Sequence, residues 1–319
     1  MLSKPLLTLK IDVDTYRGTR EGMGNLVRML AAHQAQATFL FSLGPDHTGW
    51  ALRRALRPGF FSKVSRTSVV EHYGLKTLMY GTLLPGPDIG KLCADELRAV
   101  RDAGFECGIH TWDHTLWQDN VARRDAGWTN AMMRKAAARF AQVFGMPSPT
   151  HGAAGWQMNV SAFVEHDTAG YQYASDGRAM LDERGAMVRA SDGPHRLRNG
   201  NTVLQCVQLP TTLPTLDELL GCQIDGKMLT TSNIADHILS LTAENRRDHV
   251  YTLHAELEGQ KLAPIFEQLL TGWQAQGYEF ASMARYHDKV RHTELPVCPI
   301  TWDELPGRSG RLIVQGKAA

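Results

Sequence analysis

Between Leu6 and Val13 the chain reads Leu-Leu-Thr-Leu-Lys-Ile-Asp-Val, a strand-length run dominated by aliphatic residues, and it predicts a buried first strand. Alternate residues of a strand point the same way, so Asp12 and Asp14 share one face of its end. Residues 22–34 change to a helical period, with Leu26, Met29 and Leu30 on the inner side. Residues 37–43, Ala-Thr-Phe-Leu-Phe-Ser-Leu, predict the next strand. Strand, helix and strand with short joins make the parallel βαβ unit.

Residues 44–89 break this rhythm with scattered prolines and glycines and no clear strand pattern, and they predict an inserted segment after the second strand. The alternation resumes with a helix over 91–103, ended by Gly104, and a strand over 105–110. An alanine-rich helix over 125–144 closes at Gly145, a shorter one covers 161–169, and residues 171–175 predict a strand ending at Asp176. After a polar, glycine-rich stretch at 177–200, strands at 203–209, 249–253 and 278–281 alternate with helices at 234–244 and 262–276.

Repeated βα units with polar residues at strand ends argue for an α/β fold, a distorted (β/α) barrel of about seven strands, over an open doubly wound sheet. Chemistry in such barrels gathers at the C-terminal face. No G-x-G-x-x-G follows the first strand, which argues against dinucleotide binding. Residues 1–295 read as this barrel, and residues 296–319, rich in glycine, arginine and lysine, as a poorly ordered tail.

At 319 residues the chain can bury a large core, and its formal net charge of +1 lacks the basic excess a nucleic-acid partner demands. Five cysteines without a C-x-x-C pair indicate neither a disulfide framework nor a zinc ribbon and predict reduced, structural thiols. The N-terminal apolar run is too short for a secretory signal, and no uncharged apolar run reaches about 18 residues, so neither a signal peptide nor a transmembrane helix is expected. The expected location is cytoplasmic. From His47 to Val70 there is no Asp or Glu, while Arg53, Arg54, Arg57, Lys63 and Arg66 interleave with Trp50, Leu52, Leu56, Phe60 and Phe61. That composition suits a peripheral contact with anionic headgroups or with the phosphate of a lipid-linked sugar, each basic residue contributing ~1 kcal/mol. A solvated basic loop packing its aromatics on the domain is the alternative.

Residues 107–114, Cys-Gly-Ile-His-Thr-Trp-Asp-His, place His110 and His114 where two imidazoles can face one metal ion. The spacing alone is weak evidence, and Thr111 stands where the H-E-x-x-H motif needs glutamate. Asp12 and Asp14 strengthen it. One would complete a two-His, one-carboxylate site with an open position, and the other would take a proton from water there. The residues alone leave open which does which.

Asp12-x-Asp14, His110-Thr-Trp-Asp-His114 and Leu253-His254 occur in the order of, and resemble, the first, second and fifth motifs of the polysaccharide deacetylase superfamily, or NodB homology domain. The usual first motif is Thr-Phe-Asp-Asp-Gly; here Val13 separates the acids, as in one branch. The resemblance implies Asp12 as general base, Asp14, His110 and His114 as ligands of a divalent transition metal (Zn, Mn, Co or Ni), and His254 as general acid. The family's third motif carries an arginine that pairs with the base, whereas this chain offers His151, with Gly155-Trp156 replacing the usual proline-containing end. Asp176 is expected in the place of the fourth-motif acid that tunes the catalytic histidine. Trp112 and Trp156, with Arg53, Arg54 and Arg57, are expected substrate contacts.

The branch whose wording is most similar implies hydrolytic deformylation of 4-deoxy-4-formamido-L-arabinose linked to undecaprenyl phosphate, giving formate and the free amino sugar. The expected setting is the cytoplasmic side of the inner membrane, with the chain bound peripherally, and the implied process is lipid A modification and polymyxin resistance. The rivals are an N-deacetylase of another glycan or lipid-linked amino sugar, a metal-independent ring-opening amidohydrolase, and a non-catalytic sensor of a lipid-linked sugar.

Overall fold

The computed structural model describes residues 4–51, 74–189, 192–304 and 311–317. Along the chain the strands are β1 (Leu6–Val13), β2 (Thr38–Ser42), β3 (Glu106–Thr111), β4 (Thr150–His151), β5 (Tyr173–Ala174), β6 (Arg196–Asn199), β7 (Thr202–Val203), β8 (Val207–Gln208), β9 (Gln223–Ile224), β10 (Lys227–Met228), β11 (His249–His254), β12 (Glu279–Ala281), β13 (Val297–Glu304) and β14 (Arg311–Gln315). The main sheet runs β11-β1-β2-β3-β4-β5-β8, with β12 added beside the start of β1, and every pairing in it is parallel. Its ends meet at Thr212, whose backbone N–H donates to the Val250 carbonyl at 2.9 Å. The sheet is therefore a curled, distorted barrel joined after β8 by a point contact rather than a full ladder.

β1 is buried at every position because it has partners on both edges. Leu7, Leu9, Ile11 and Val13 pack outward against helices, including Leu26 and Leu30 of Met23–Ala32 and Phe266 of Ala263–Ala275. The alternate residues face the barrel interior. Leu6 fills its lower part with Leu40, Val207, Leu209 and Val250, whereas Lys10, Asp12 and Asp14 make its upper part polar. One period-2 strand thus carries both the core and the chemistry.

The helices follow local signals. Asp125 accepts from the Trp128 N–H at the start of Ala126–Phe144, and Asn159 accepts from the Ala162 N–H at the start of Val160–Ala169, satisfying donors that helix starts leave bare. Near the start of the inserted segment after β2, His47 stacks on Trp50 at 4.0 Å and lies 2.6 Å from Asp113, so this part is tied to the residue before His114. Arg53, Arg54 and Arg57 lie outside the described residues. Among the described residues no helix is long and apolar enough to cross a membrane.

Two expectations are corrected. Residues 203–209 do not form one strand: β7 and β8 belong to different sheets. The described part of the tail is ordered: β13 pairs with β14 and β6 in a separate sheet ordered β14-β13-β6-β7. The cause is the aliphatic run Leu312-Ile313-Val314, whose Leu312 and Val314 pack on Trp156 while Ile313 joins a neighbouring cluster. Glycine and basic content around the run masked that signal.

Candidate active site

Parallel strands end together, so β1, β3 and β11 deliver their last residues to one rim. Asp12 lies opposite His254 in the β1–β11 register, and Phe41 of β2 lies opposite both Val13 and Ile109. Asp14 and His110 each follow one residue later. His114 is not on the strand. It opens the helix His114–Asn120, whose first turn Asp113 caps by accepting from the Leu116 N–H, so the four-residue spacing spans a strand-to-helix turn.

There Asp14 Oδ1 is 3.2 Å from His110 Nε2 and Asp14 Oδ2 is 3.5 Å from His114 Nε2. All three offer a ligand atom within 4.8 Å of one another. His110 Nδ1 donates to the Gly152 carbonyl at 2.7 Å, which fixes the tautomer and leaves Nε2 toward Asp14. Burial alone would raise the Asp14 carboxyl, but the neighbouring histidines, His114 first and then His110 and His254, outweigh it and hold the carboxyl well below the usual carboxylate range.

Asp12 has a partner that the motif comparison missed. Lys10 Nζ lies 2.8 Å from Asp12 Oδ2, with the two side chains 0% and 5% exposed. Breaking such a buried pair from one side costs about 3–5 kcal/mol, so each residue accounts for the other's burial. Gly152 makes room for it: a Cβ there would lie 2.8 Å from Lys10 Cε. The alternation Lys10, Asp12, Asp14 was the available signal, a lysine on the polar face of a strand too apolar to be at the surface. Asp12 Oδ1 remains buried without a hydrogen-bond partner.

Across the rim, burial disfavours the charged form of His254, but the carboxylates of Asp217, Asp14, Glu258 and Asp12 prevail and raise its pKa to about 9. The ring therefore carries its proton at neutral pH. Glu258 accepts from the His254 backbone N–H at 2.9 Å. Glu256 accepts from the Asp14 and Thr15 N–H groups and the Thr15 hydroxyl, at 3.0, 2.8 and 2.8 Å, and so locks the end of β1. Burial and the nearby Asp14 charge push its carboxyl up to about 8. Sequence reasoning passed over Asp217, Glu256 and Glu258; two acids close behind His254 in the His-Ala-Glu-Leu-Glu wording were the visible clue to the glutamates.

Asp12, Asp14, His110, His114 and His254 line one pocket of about 120 Å³, completed by Gln118, Gly155, Trp156 and Asp217. Trp156 adopts φ 55°, an uncommon left-handed conformation for a tryptophan, and its Nε1 donates to Thr211 Oγ1 at 3.2 Å. Arg178 and Lys10 stand over its ring at 4.8 and 5.8 Å.

Three candidates fall elsewhere. Trp112 does not line this pocket; it packs close to Gly44 and under Arg139, 5.1 Å from its ring. His151 does not hold Asp12; its Nδ1 is 2.7 Å from Asp176 Oδ1. Asp176 is accordingly not brought to His254, and Asp217 is the acid whose charge leads in raising that histidine.

A curled parallel sheet whose rim gathers an Asp-His-His trio, with a paired aspartate on one side and a protonated histidine on the other, defines the polysaccharide deacetylase class. A solved structure from Mycobacterium smegmatis assigned as a polysaccharide deacetylase has the same fold, with a TM-score of 0.63 at 15% identity, covering 96% of this chain and 97% of that one. No family model matches the chain. Two curated relatives are similar along almost all of it, each described as a probable 4-deoxy-4-formamido-L-arabinose-phosphoundecaprenol deformylase, ArnD. The one from Shewanella sediminis is 34% identical over 304 residues, 95% of this chain and 92% of the relative. The one from Wigglesworthia glossinidia brevipalpis is 28% identical over 309 residues, 94% of this chain and 99% of the relative. The chain belongs to this deformylase family.

Proposed function

We propose that the chain hydrolyses the formamide of 4-deoxy-4-formamido-L-arabinose carried on undecaprenyl phosphate, releasing formate and the free amino sugar. The observation that carries the reaction is the placement of Asp12 and His254 on facing register positions beside Asp14, His110 and His114. The substrate follows from the relatives.

The donor set fits a divalent transition ion such as Zn, Mn, Co or Ni: two imidazoles, one of them with its far nitrogen tied down, and a carboxylate whose Oδ1 is buried without a hydrogen bond. Bound by Asp14, His110 and His114, such an ion supplies Lewis-acid polarisation of the formyl carbonyl and lowers the pKa of water. Asp12, anchored through Oδ2 by Lys10, has Oδ1 unengaged to take the proton of the attacking water as its oxygen bonds to the formyl carbon. His254 then gives its proton to the sugar nitrogen as the C–N bond breaks, so the amine leaves neutral. Trp156, held against Thr211, walls the pocket against solvent on that side.

The basic segment carrying Arg53, Arg54 and Arg57 is the proposed contact with the lipid carrier's phosphate or the membrane surface, on its sequence composition. Neutral substitutions there are expected to weaken co-sedimentation with anionic vesicles; unchanged binding would remove that part. The reaction is tested by formate release from the formamido-sugar lipid carrier, with metal-stripped and metal-restored protein and with the acetamido analogue. Metal-dependent release from the formamide, lost in His254→Gln, is expected. Faster turnover of the acetamide, or equal release by stripped protein, would overturn the reading.

A further inference from the structure

A second trio of metal-binding side chains lies outside the pocket. His151 ends β4, Asp176 follows β5, and His166 lies on the helix Val160–Ala169; each offers a donor atom within 4.8 Å of the others. We propose that these three residues hold a second divalent first-row transition ion, in a structural site separate from the reaction centre.

The geometry supports a ligand cage. All three side chains are sealed from solvent. The Asp176 carboxylate stands between the two imidazoles, Oδ1 2.7 Å from His151 Nδ1 and Oδ2 3.4 Å from His166 Nδ1. Gln208 braces it from outside: its Nε2 donates to Asp176 Oδ2 at 3.1 Å, and the Asp176 N–H donates to Gln208 Oε1 at 3.3 Å. An outer partner of this kind orients a ligating carboxylate. Both ring nitrogens of His166 are buried with no hydrogen-bond partner. Buried polar atoms rarely go unpaired, and a hydrogen-bonded His-Asp-His array in this arrangement strands both of them. An ion between the imidazoles and the carboxylate engages one nitrogen and balances the buried negative charge.

Imidazole and carboxylate donors suit Zn, Co or Ni. The two trios differ in access: the first opens onto the pocket, whereas the second is sealed from solvent. The sealed trio ties together the ends of β4 and β5 and the helix between them. Its His151 precedes Gly152, whose carbonyl holds His110, so the second site also steadies a ligand of the first.

Zinc content of the full chain, measured by mass spectrometry after loading and desalting, tests this apart from the proposed reaction, because the count does not depend on formate release. The expected stoichiometry is two ions per wild-type chain, one in His110→Asn/His114→Ala, and none when His166→Gln is added. A chelator should lower the melting temperature of the double variant. One ion in the wild type and none in the double variant would overturn the proposal, as would an ion that survives in the triple variant. Should the triple variant not fold, the count in the double variant still decides.

Discussion

Among the described residues, two His-His-Asp trios lie a short distance apart, and they differ in access rather than in donors. Asp14, His110 and His114 open onto a pocket, with His114 22% exposed, and are flanked by Asp12 and His254. His151, His166 and Asp176 are sealed, and no member of that trio lines the pocket. Burial disfavours the charged form of both His254 and His166, but surrounding carboxylates overcome it and raise His254 to about 9, whereas at His166 burial outweighs the Asp176 charge and lowers the ring to about 4. A constellation of ligand residues therefore does not by itself mark a reaction centre. What marks it is room for substrate and a base and an acid placed on either side.

The sharpest way to break this comparison is to remove one carboxylate from each region. Asp12→Asn should cut kcat by about 10²–10⁴, the usual contribution of a general base, while metal content stays as in the wild type. Asp176→Asn should act on metal content and stability, with kcat reduced by less than about 10²-fold, as for outer residues that orient a ligand. A loss of kcat in Asp176→Asn equal to that in Asp12→Asn would merge the two regions into one catalytic unit.

Next in size is the buried pair under the open site. Lys10→Met leaves Asp12 without its cation and should cost about 3–5 kcal/mol in denaturant unfolding. Lys10→Met/Asp12→Asn, which leaves no unpaired charge, should recover much of that loss. Strictly additive losses would mean that the two side chains do not stabilise each other.

The two regions were unequally legible in the sequence. Asp14, His110 and His254 could be read because each sits at or just past the end of an apolar run, where a ligand-type residue stands out, and His114 was reached through its spacing from His110. Most strands and long helices were legible for the same reason, with Leu6–Val13 and Ile234–Glu244 agreeing at both ends. Lys10 escaped because one strand position says nothing about the cation's partner until the burial of both is known. His166 escaped because it is an ordinary helical position whose isolation comes from the packing of β4, β5 and Tyr171 around it. Asp217 sits on a one-turn helix, Leu216–Leu219, far from His254 in sequence, and only barrel closure brings them together.

The pH dependence of stability should separate the regions in metal-stripped protein. His254 has a folded pKa of about 9, above its unfolded value near 6.5, so its contribution is complete below about 6.5 and is lost as pH rises through about 9. His166 has a folded pKa of about 4, below its unfolded value, so its contribution is complete above about 6.5 and is lost as pH falls toward 4. His249, also lowered to about 4 chiefly by burial, adds to the acid limb. Melting temperature against pH should flatten on the alkaline side in His254→Gln and on the acid side in His166→Gln. The opposite assignment would reverse the contrast.

The smallest expected effect separates two tryptophans near the open site. Trp156 walls the pocket and loses one hydrogen bond, to Thr211, when changed to phenylalanine; at about 1 kcal/mol that corresponds to roughly a fivefold fall in kcat/KM. Trp112 packs against Gly44 and Arg139 behind the ligands, where a phenylalanine still supplies an aromatic face to the guanidinium. Trp112→Phe should therefore change kcat/KM by less than about twofold, its effect falling on stability instead, as expected for a packing residue. A larger loss in Trp112→Phe than in Trp156→Phe would extend the substrate's path past Gly44 toward the inserted segment, and the boundary of the open region would have to move with it.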